Sequence, residues 1–133
     1  NEDVGARIKE LAPEGLDVFF DNVGGEILEA AIANIRTRGR VAICGAISQY
    51  NDQQHVKGPS TYLKLAENYA RMEGFTVLHF AERFAQAGAE LAGWLASGQL
   101  KMTEHLEPGI ESFPTALQKL FTGGHMGKML VKP

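Results

Sequence analysis

The run Arg40–Cys44 constrains the fold more than any other stretch, because it is apolar after its first residue and a glycine follows it. Near-continuous apolar runs of this length are typical of strands in parallel sheets that helices cover. The run therefore predicts a strand that is buried on both faces. Gly45 ends the run, and Ser48 and Tyr50 follow within a few residues. Ligands bind at the carboxyl ends of strands in open α/β sheets, so this turn is a candidate ligand site.

A second unit of strand, glycine turn and helix precedes this one. Leu16–Asp21 is predicted as a strand and Asn22–Gly25 as its turn. The next helix is predicted to end at Gly39, and its apolar stripe consists of Leu28, Ala31, Ile32 and Ile35. Helices between strands predict a parallel sheet with right-handed crossovers. Both glycine turns should then lie at the same end of the sheet.

The remaining segments extend this α/β pattern. Asp3 is a predicted N-cap for a helix with Val4, Ile8 and Leu11 on one face. Ser60 or Thr61 is predicted to cap a helix that ends at Gly74, with Tyr62, Leu65, Ala66, Tyr69 and Met72 as its apolar face. Further predictions are a strand at Phe75–Leu78, a helix at Ala81–Ala96, a strand at 101–107, a helix from Pro114, a turn at Gly123–Gly127 and a strand at Lys128–Lys132. The polar residues 49–60 are predicted to form a lid or binding loop.

Composition excludes several classes of function. A net charge of −3 provides no basic surface for nucleic acid and no polybasic membrane anchor. No apolar run approaches the ~20 residues of a membrane-spanning helix. The single cysteine, Cys44, excludes an internal disulfide and a multi-cysteine zinc site, and we expect it to be a small core residue. The four histidines share no metal-ligand spacing. Because the only cysteine is expected to be in the core, we expect a cytoplasmic protein.

Several nucleotide-site and catalytic motifs do not occur in the chain. No Gly-x-Gly-x-x-Gly turn follows a strand, and the residue that would choose between NAD and NADP is missing. Tyr-x-x-x-Lys and Gly-x-Ser-x-Gly are also absent. From the residues alone, Gly24-Gly25 is equally consistent with a plain tight turn, and Tyr50 with a plain loop residue. Asn1 is not an initiator methionine, and the helix pattern begins at once, so we expect that an N-terminal part of a longer protein has been removed.

Four motifs, in this order, resemble the zinc-independent medium-chain dehydrogenases/reductases, in particular their prostaglandin reductase and alkenal/enone (curcumin-type) reductase branch. The motifs are Phe20-Asp-Asn-Val-Gly-Gly25, Cys44-Gly-Ala-Ile-Ser48 with Tyr50-Asn51, Met72-Glu-Gly-Phe75 and Gly127-Lys-Met-Leu-Val-Lys132. The resemblance covers essentially the whole chain. It implies the second half of a doubly wound, Rossmann-type parallel sheet with flanking helices, plus a C-terminal strand–helix–strand tail. Residues 1–98 would be the C-terminal half of the nucleotide-binding domain, and 99–133 the tail that returns to a catalytic domain.

The resemblance also implies an activity and a set of site residues. The activity is NADPH-dependent reduction of the C=C bond of an α,β-unsaturated ketone or aldehyde, without a metal. Tyr50 would lie near the substrate and donate a hydrogen bond or a proton to the developing enolate. The implied NADP(H)-binding residues are Asn22, Cys44, Gly45, Ala46, Ile47, Ser48, Tyr50, Phe75, Thr76, Val77 and His125. At the position of His125 the family usually has asparagine, and a histidine there could add pH dependence.

Two alternatives remain open at this stage. The chain could be a cofactor half-site and dimerisation module without turnover of its own, or part of a quinone reductase of the same superfamily. The family commonly dimerises through an edge strand, which corresponds here to Phe75–Leu78. An unpaired apolar edge strand tends to pair with another chain. We therefore expect a homodimer through Phe75–Leu78.

Overall fold

The computed structural model describes residues 2–50, 54 and 56–133. The chain forms two compact units, residues 1–81 and 82–133. The functional boundary expected between residues 98 and 99 stays a prediction. The predicted loop at 49–60 lies partly outside the described residues.

The N-terminal unit alternates helices and strands. It contains α1 (Val4–Leu11), β1 (Leu16–Asp21), α2 (Gly25–Ala33), β2 (Ile35–Ile43), α3 (Leu63–Glu67) and β3 (Arg71–Gly74). Asp3 caps α1 as predicted, because its carboxylate accepts a hydrogen bond from the backbone N–H of Ala6 at 3.0 Å.

The three strands form one parallel sheet in the order β1-β2-β3. Phe19 pairs with Val41, and Val41 pairs with Met72. Parallel pairing through intervening helices confirms the α/β prediction. It also brings the end of β1, the end of β2 and the residues after β3 to one end of the sheet, which we call the carboxyl end.

The core of this unit lies between α2 and the sheet. Ile32 is fully buried and Val41 is 1% exposed, and Leu28 and Ile35 complete the buried cluster. The prediction that both faces of β2 are buried was wrong for the described residues. Arg40 is exposed, and on the same side of the sheet Val18 and Phe20 are 56% and 53% exposed. The reason is that the side chains clustered around α2 cover one face of the sheet, and Val18 and Phe20 point to the other.

The helix before β2 was predicted too long. It ends at Ala33, and Ile35 already belongs to β2, where it pairs with Leu16. Two steps along β1, from Leu16 to Val18, correspond to five steps along β2, from Ile35 to Arg40. The extra residues form an irregularity in which Arg38 adopts a φ of +64°. Ile35 is nevertheless buried in the same cluster as Leu28 and Ile32, so the stripe identified a core residue but assigned it to the wrong element.

The strand predicted at Phe75–Leu78 was also wrong. β3 lies earlier, at Arg71–Gly74, and a 3-10 segment spans Val77–Arg83. The preceding helix is correspondingly short, since α3 ends at Glu67 and Tyr69 follows in the left-handed region at φ +50°. The apolar spacing of Tyr62, Tyr69 and Met72 therefore does not mark a buried helix face. Tyr62 is 58% exposed and Tyr69 is 83% exposed.

The C-terminal unit is a strand–helix–strand element preceded by a helix. It contains α4 (Phe84–Ala96), β4 (Glu104–Pro108), α5 (Phe113–Thr122) and β5 (Lys128–Lys132). β4 and β5 pair in parallel, which confirms the predicted tail. Glu107 on β4 accepts hydrogen bonds from Lys119 of α5 and from His105. The Lys119 ammonium, followed by His105, holds the pKa of Glu107 below its ordinary value.

Candidate functional site

The two glycine turns predicted from the sequence are joined by hydrogen bonds at the carboxyl end of the sheet. The backbone N–H of Ile47 donates to the Asn22 carbonyl at 3.0 Å. The backbone N–H and the hydroxyl of Ser48 both donate to the Val23 carbonyl, at 3.1 and 2.5 Å. We call residues 22–25 and 44–48 the paired turns. They form one platform, although 18 residues of sequence separate them.

Asp21, at the end of β1, contacts both of the paired turns. Its Oδ1 accepts hydrogen bonds from the backbone N–H groups of Val23 and Gly24, each at 2.9 Å. Its backbone carbonyl accepts from Cys44 and Gly45 at 2.8 and 3.2 Å. The Asp21 side chain is buried, whereas Asn22 beside it is exposed. Asn22 therefore presents its amide at the platform, where the resemblance places a cofactor contact.

Tyr50 folds back over the second turn. Its hydroxyl oxygen accepts a hydrogen bond from the backbone N–H of Ala46 at 3.1 Å. A Cβ added at Gly45 would lie 2.7 Å from the same oxygen, so the glycine makes room for the phenol. A tyrosine hydroxyl that accepts one bond still has its own proton to donate. Tyr50 is 54% exposed and can therefore present that proton to a ligand.

The segment after β3 lies beside the paired turns through an aromatic contact. The ring of Phe75 packs edge-on against Phe20 of β1, with 5.9 Å between centroids, and against Phe80 at 5.8 Å. The Phe75 N–H donates to the Ile43 carbonyl, and the Thr76 N–H lies 3.4 Å from Nδ1 of His79. These N–H groups already have partners. The Thr76 carbonyl is also engaged, since it accepts from the His79 N–H at 3.0 Å. The carboxamide contact by Phe75, Thr76 and Val77 stays a prediction.

Glu29 on α2 anchors the chain that returns from the second turn. Its carboxylate accepts hydrogen bonds from the backbone N–H groups of Ser60 and Thr61 at 2.5 and 3.1 Å, and from both hydroxyls at 3.1 and 2.8 Å. The Ser60 N–H, followed by the Thr61 hydroxyl, holds the pKa of Glu29 below its ordinary value. The prediction that Ser60 or Thr61 caps α3 was wrong. Neither side chain makes a capping bond, because both hydroxyls bind Glu29.

Two of the predicted cofactor residues lie differently from the rest. Cys44 is half-buried and contributes its N–H to Asp21 rather than acting as a fully buried core residue. His125 belongs to the C-terminal unit, where its Nδ1 lies 3.3 Å from the Lys119 carbonyl. Its role toward a cofactor stays a prediction.

The groups on the platform fit the chemistry of a nicotinamide nucleotide. The Asn22 amide can donate and accept, and the Ser48 oxygen can still accept. Ribose hydroxyls and a carboxamide require such mixed partners. The part of the chain that the structure describes holds no group of three His, Cys, Asp or Glu side chains able to bind a metal ion.

Asp21 and Glu29 were not identified from the sequence. For Asp21 a signal existed, because an Asp immediately before an Asn-x-Gly turn is a common acceptor for turn N–H groups. For Glu29 no local signal existed, because its partners are 31 and 32 residues away.

No helix among the described residues is long and apolar enough to cross a membrane.

Comparisons with known proteins agree with this fold. The sequence model of one protein family, described as zinc-binding dehydrogenase, matches residues 1–131. An NADP-dependent 2-alkenal reductase of Nicotiana tabacum is 37% identical over 130 residues, which cover 98% of this chain and 38% of that protein. Prostaglandin reductase 1 of Bos taurus is 39% identical over 127 residues, covering 94% of this chain and 38% of that protein.

A solved structure shows the same similarity. The structure of CurA in complex with NADPH from Vibrio vulnificus superimposes with a TM-score of 0.82 at 32% identity, covering 96% of this chain and 40% of that one. The chain thus spans about two fifths of the length of the relatives it matches. The chain belongs to the zinc-binding dehydrogenase family, and its relatives include the alkenal and prostaglandin reductases that its four motifs resemble.

Proposed function

We propose that this chain carries the nicotinamide side of the cofactor site of an NADPH-dependent reductase that acts on α,β-unsaturated ketones or aldehydes in the cytoplasm. The observation that carries the proposal is the platform of paired turns, with the Tyr50 hydroxyl held over it by the Ala46 N–H and no acceptor for its proton among the described residues. The relatives support the chemistry, because their names describe NADP-dependent reduction of alkenals and reduction of prostaglandins.

NADPH, when bound, supplies the hydride that adds to the β-carbon of the substrate. The residues of this chain then have separate tasks. Asn22 and Ser48 would hold polar groups of the cofactor, and the backbone of Phe75–Val77 would contact its carboxamide. Tyr50 donates a hydrogen bond to the carbonyl oxygen of the substrate, where negative charge develops as the enolate forms. A proton from solvent then adds to the α-carbon and completes the reduction.

The test is steady-state turnover of the full-length protein, followed by the loss of NADPH absorbance. We expect reduction of a 2-alkenal with NADPH and much slower turnover with NADH. Tyr50→Phe should lower kcat by roughly tenfold or more while the Kd for NADPH changes little, since the phenol acts on the substrate. Tyr62→Phe is the matched control, because Tyr62 is also an exposed tyrosine of this unit but belongs to the start of α3.

Three results would redirect or restrict the proposal. Turnover of quinones without turnover of alkenals would assign the protein to the quinone reductases of the superfamily. Tight NADPH binding without turnover of either substrate class would favour a cofactor-binding module. Unchanged turnover in Tyr50→Phe would remove Tyr50 from the mechanism.

A further inference from the structure

Asp21 has a buried carboxyl side chain that plays no part in the proposed function. It is 1% exposed, at the end of β1 and immediately before the first of the paired turns. Burial of a carboxylate is costly unless hydrogen bonds and nearby charge compensate for the lost water. Something in its surroundings must therefore stabilise it there.

Two backbone N–H groups supply that stabilisation and shape the first turn. Val23 and Gly24 both donate to Oδ1 at 2.9 Å, while Oδ2 has no hydrogen-bond partner among the described residues. Gly24 adopts φ +70° and ψ −159°, a conformation that is essentially restricted to glycine. The N-terminus of α2 follows at Gly25, and its dipole favours a negative charge nearby. The conformation of the turn therefore depends on the carboxylate.

The main chain of Asp21 fixes the second turn at the same time. Its carbonyl accepts from the N–H groups of Cys44 and Gly45. Movement of Asp21 would consequently shift Asn22 in the first turn and the start of 44–48 together. The Val23 carbonyl that receives both bonds from Ser48 lies in the same turn, so the contacts between the turns depend on this conformation too.

We propose that Asp21 is a positioning residue for the cofactor site, which couples the two turns and sets the strength of nicotinamide nucleotide binding. This inference rests on the proposed function. Asp21 does not contact the cofactor, since its carboxylate is buried beneath the turn. It acts through the orientation of Asn22 and of residues 44–48.

The variants Asp21→Ala and Asp21→Asn separate the hydrogen bonds from the charge. Alanine removes the acceptor of two turn N–H groups, and we expect the Kd for NADPH to rise about tenfold or more in the full-length protein. The kcat at saturating NADPH should change by less than about threefold, because the chemical step is not touched. Asparagine keeps an oxygen at Oδ1, so the Kd should return to within about threefold of the wild type.

Two control variants distinguish positioning from loss of stability. Ile32→Val weakens the fully buried core of α2 without touching a turn, and it should lower the melting temperature while leaving the Kd for NADPH unchanged. Asp17→Ala removes an exposed carboxylate of β1 that pairs with Arg36 at 3.0 Å. It should change neither the melting temperature nor the Kd for NADPH. A normal Kd in Asp21→Ala, or no rescue by Asp21→Asn, would overturn the inference.

Hydrogen–deuterium exchange keeps the inference separate from the proposed function, because it requires no cofactor. In Asp21→Ala we expect faster exchange in both 22–25 and 44–48. In Ile32→Val we expect no change that is confined to these two segments. Failure of the wild type to bind NADPH would refute the proposed function alone. Unchanged exchange in 44–48 of Asp21→Ala would refute the coupling of the turns.

Discussion

At the scale of single residues, glycine at position 45 is explained by the tyrosine five residues later. A Cβ at Gly45 would lie 2.7 Å from the Tyr50 hydroxyl, but that atom is the far end of a side chain that can move. Substitution should therefore displace the phenol rather than unfold the turn.

We predict that Gly45→Ala lowers turnover by roughly tenfold, with a small change in melting temperature, because Tyr50 loses its position over Ala46. Turnover assays and thermal denaturation on the same sample check this. Gly88→Ala in α4 is the control, since a Cβ at Gly88 would also meet nothing within 4 Å. A large drop in melting temperature with normal turnover per folded molecule would contradict this view of Gly45.

The carboxylate of Glu29 makes stability depend on pH. Because its pKa is lower in the folded protein than the ordinary 4.5, its contribution to stability is present above that value and is lost as the pH falls through the folded pKa. We predict that the wild type loses stability more steeply than Glu29→Gln between about pH 5 and pH 3. Thermal unfolding at a series of pH values tests this.

Glu26→Gln on the same helix is the matched control, because Glu26 is exposed in the first turn of α2 and removal of its charge leaves Ser60 and Thr61 bound to Glu29. Its pH profile should follow that of the wild type. Identical profiles for Glu29→Gln and Glu26→Gln would show that Glu29 does not couple stability to pH.

At the scale of elements, the end of α3 shows how local structure can depart from sequence pattern. Tyr69 N–H donates to the Ala66 carbonyl and Ala70 N–H to the Leu65 carbonyl, the two bonds of a Schellman motif. Glycine usually occupies the left-handed position that Tyr69 holds at φ +50°. The aromatic side chain there is almost fully exposed, so it offers little packing in return.

We predict that Tyr69→Gly raises the free energy of unfolding by about 0.5–1 kcal/mol, because it relieves the left-handed conformation. Ala66→Gly, at an exposed residue inside α3, should lower it by a similar amount, because glycine is unfavourable in a helix interior. Urea denaturation of both variants measures the two changes. Changes of the same sign in the free energy of unfolding of the two variants would contradict the explanation from backbone conformation.

The elements that the sequence predicted well are those with strong local signals. Asp3 capped α1 as expected, and the helix from Pro114 and the strand Lys128–Lys132 were correctly located. The errors fell where long-range pairing overrode spacing. Ile35 matched the α2 stripe but pairs with Leu16, and Met72 matched a helix face but pairs with Val41. Strand pairing between distant segments cannot be read from a single apolar period.

The candidate site was predictable in the same uneven way. The two turns and Tyr50 follow from strands that end in glycine, so their common location at the carboxyl end was expected. The hydrogen bonds that join the turns depend on atoms far apart in sequence, as between Ser48 and Val23, and no local pattern encodes them.

At the scale of the whole molecule, β3 is an edge strand of the described sheet, and all four of its residues are exposed. Exposed edge strands tend to pair with another chain. We predict a homodimer that forms through the β3 edge, at Arg71–Gly74 rather than at Phe75–Leu78. Light scattering of the full-length protein at micromolar concentration measures the mass, and a monomer would contradict the prediction.

The central claim is that the paired turns bind NADPH. Hydrogen–deuterium exchange of the full-length protein, with and without saturating NADPH, tests it directly because it reports the location of protection. We predict slower exchange in peptides that cover 22–25, 44–50 and 75–77. The opposite end of the sheet has its own cavity, lined in part by Lys9, Gly15 and Arg36. Protection confined to that cavity, or no protection in the paired turns, would contradict the account.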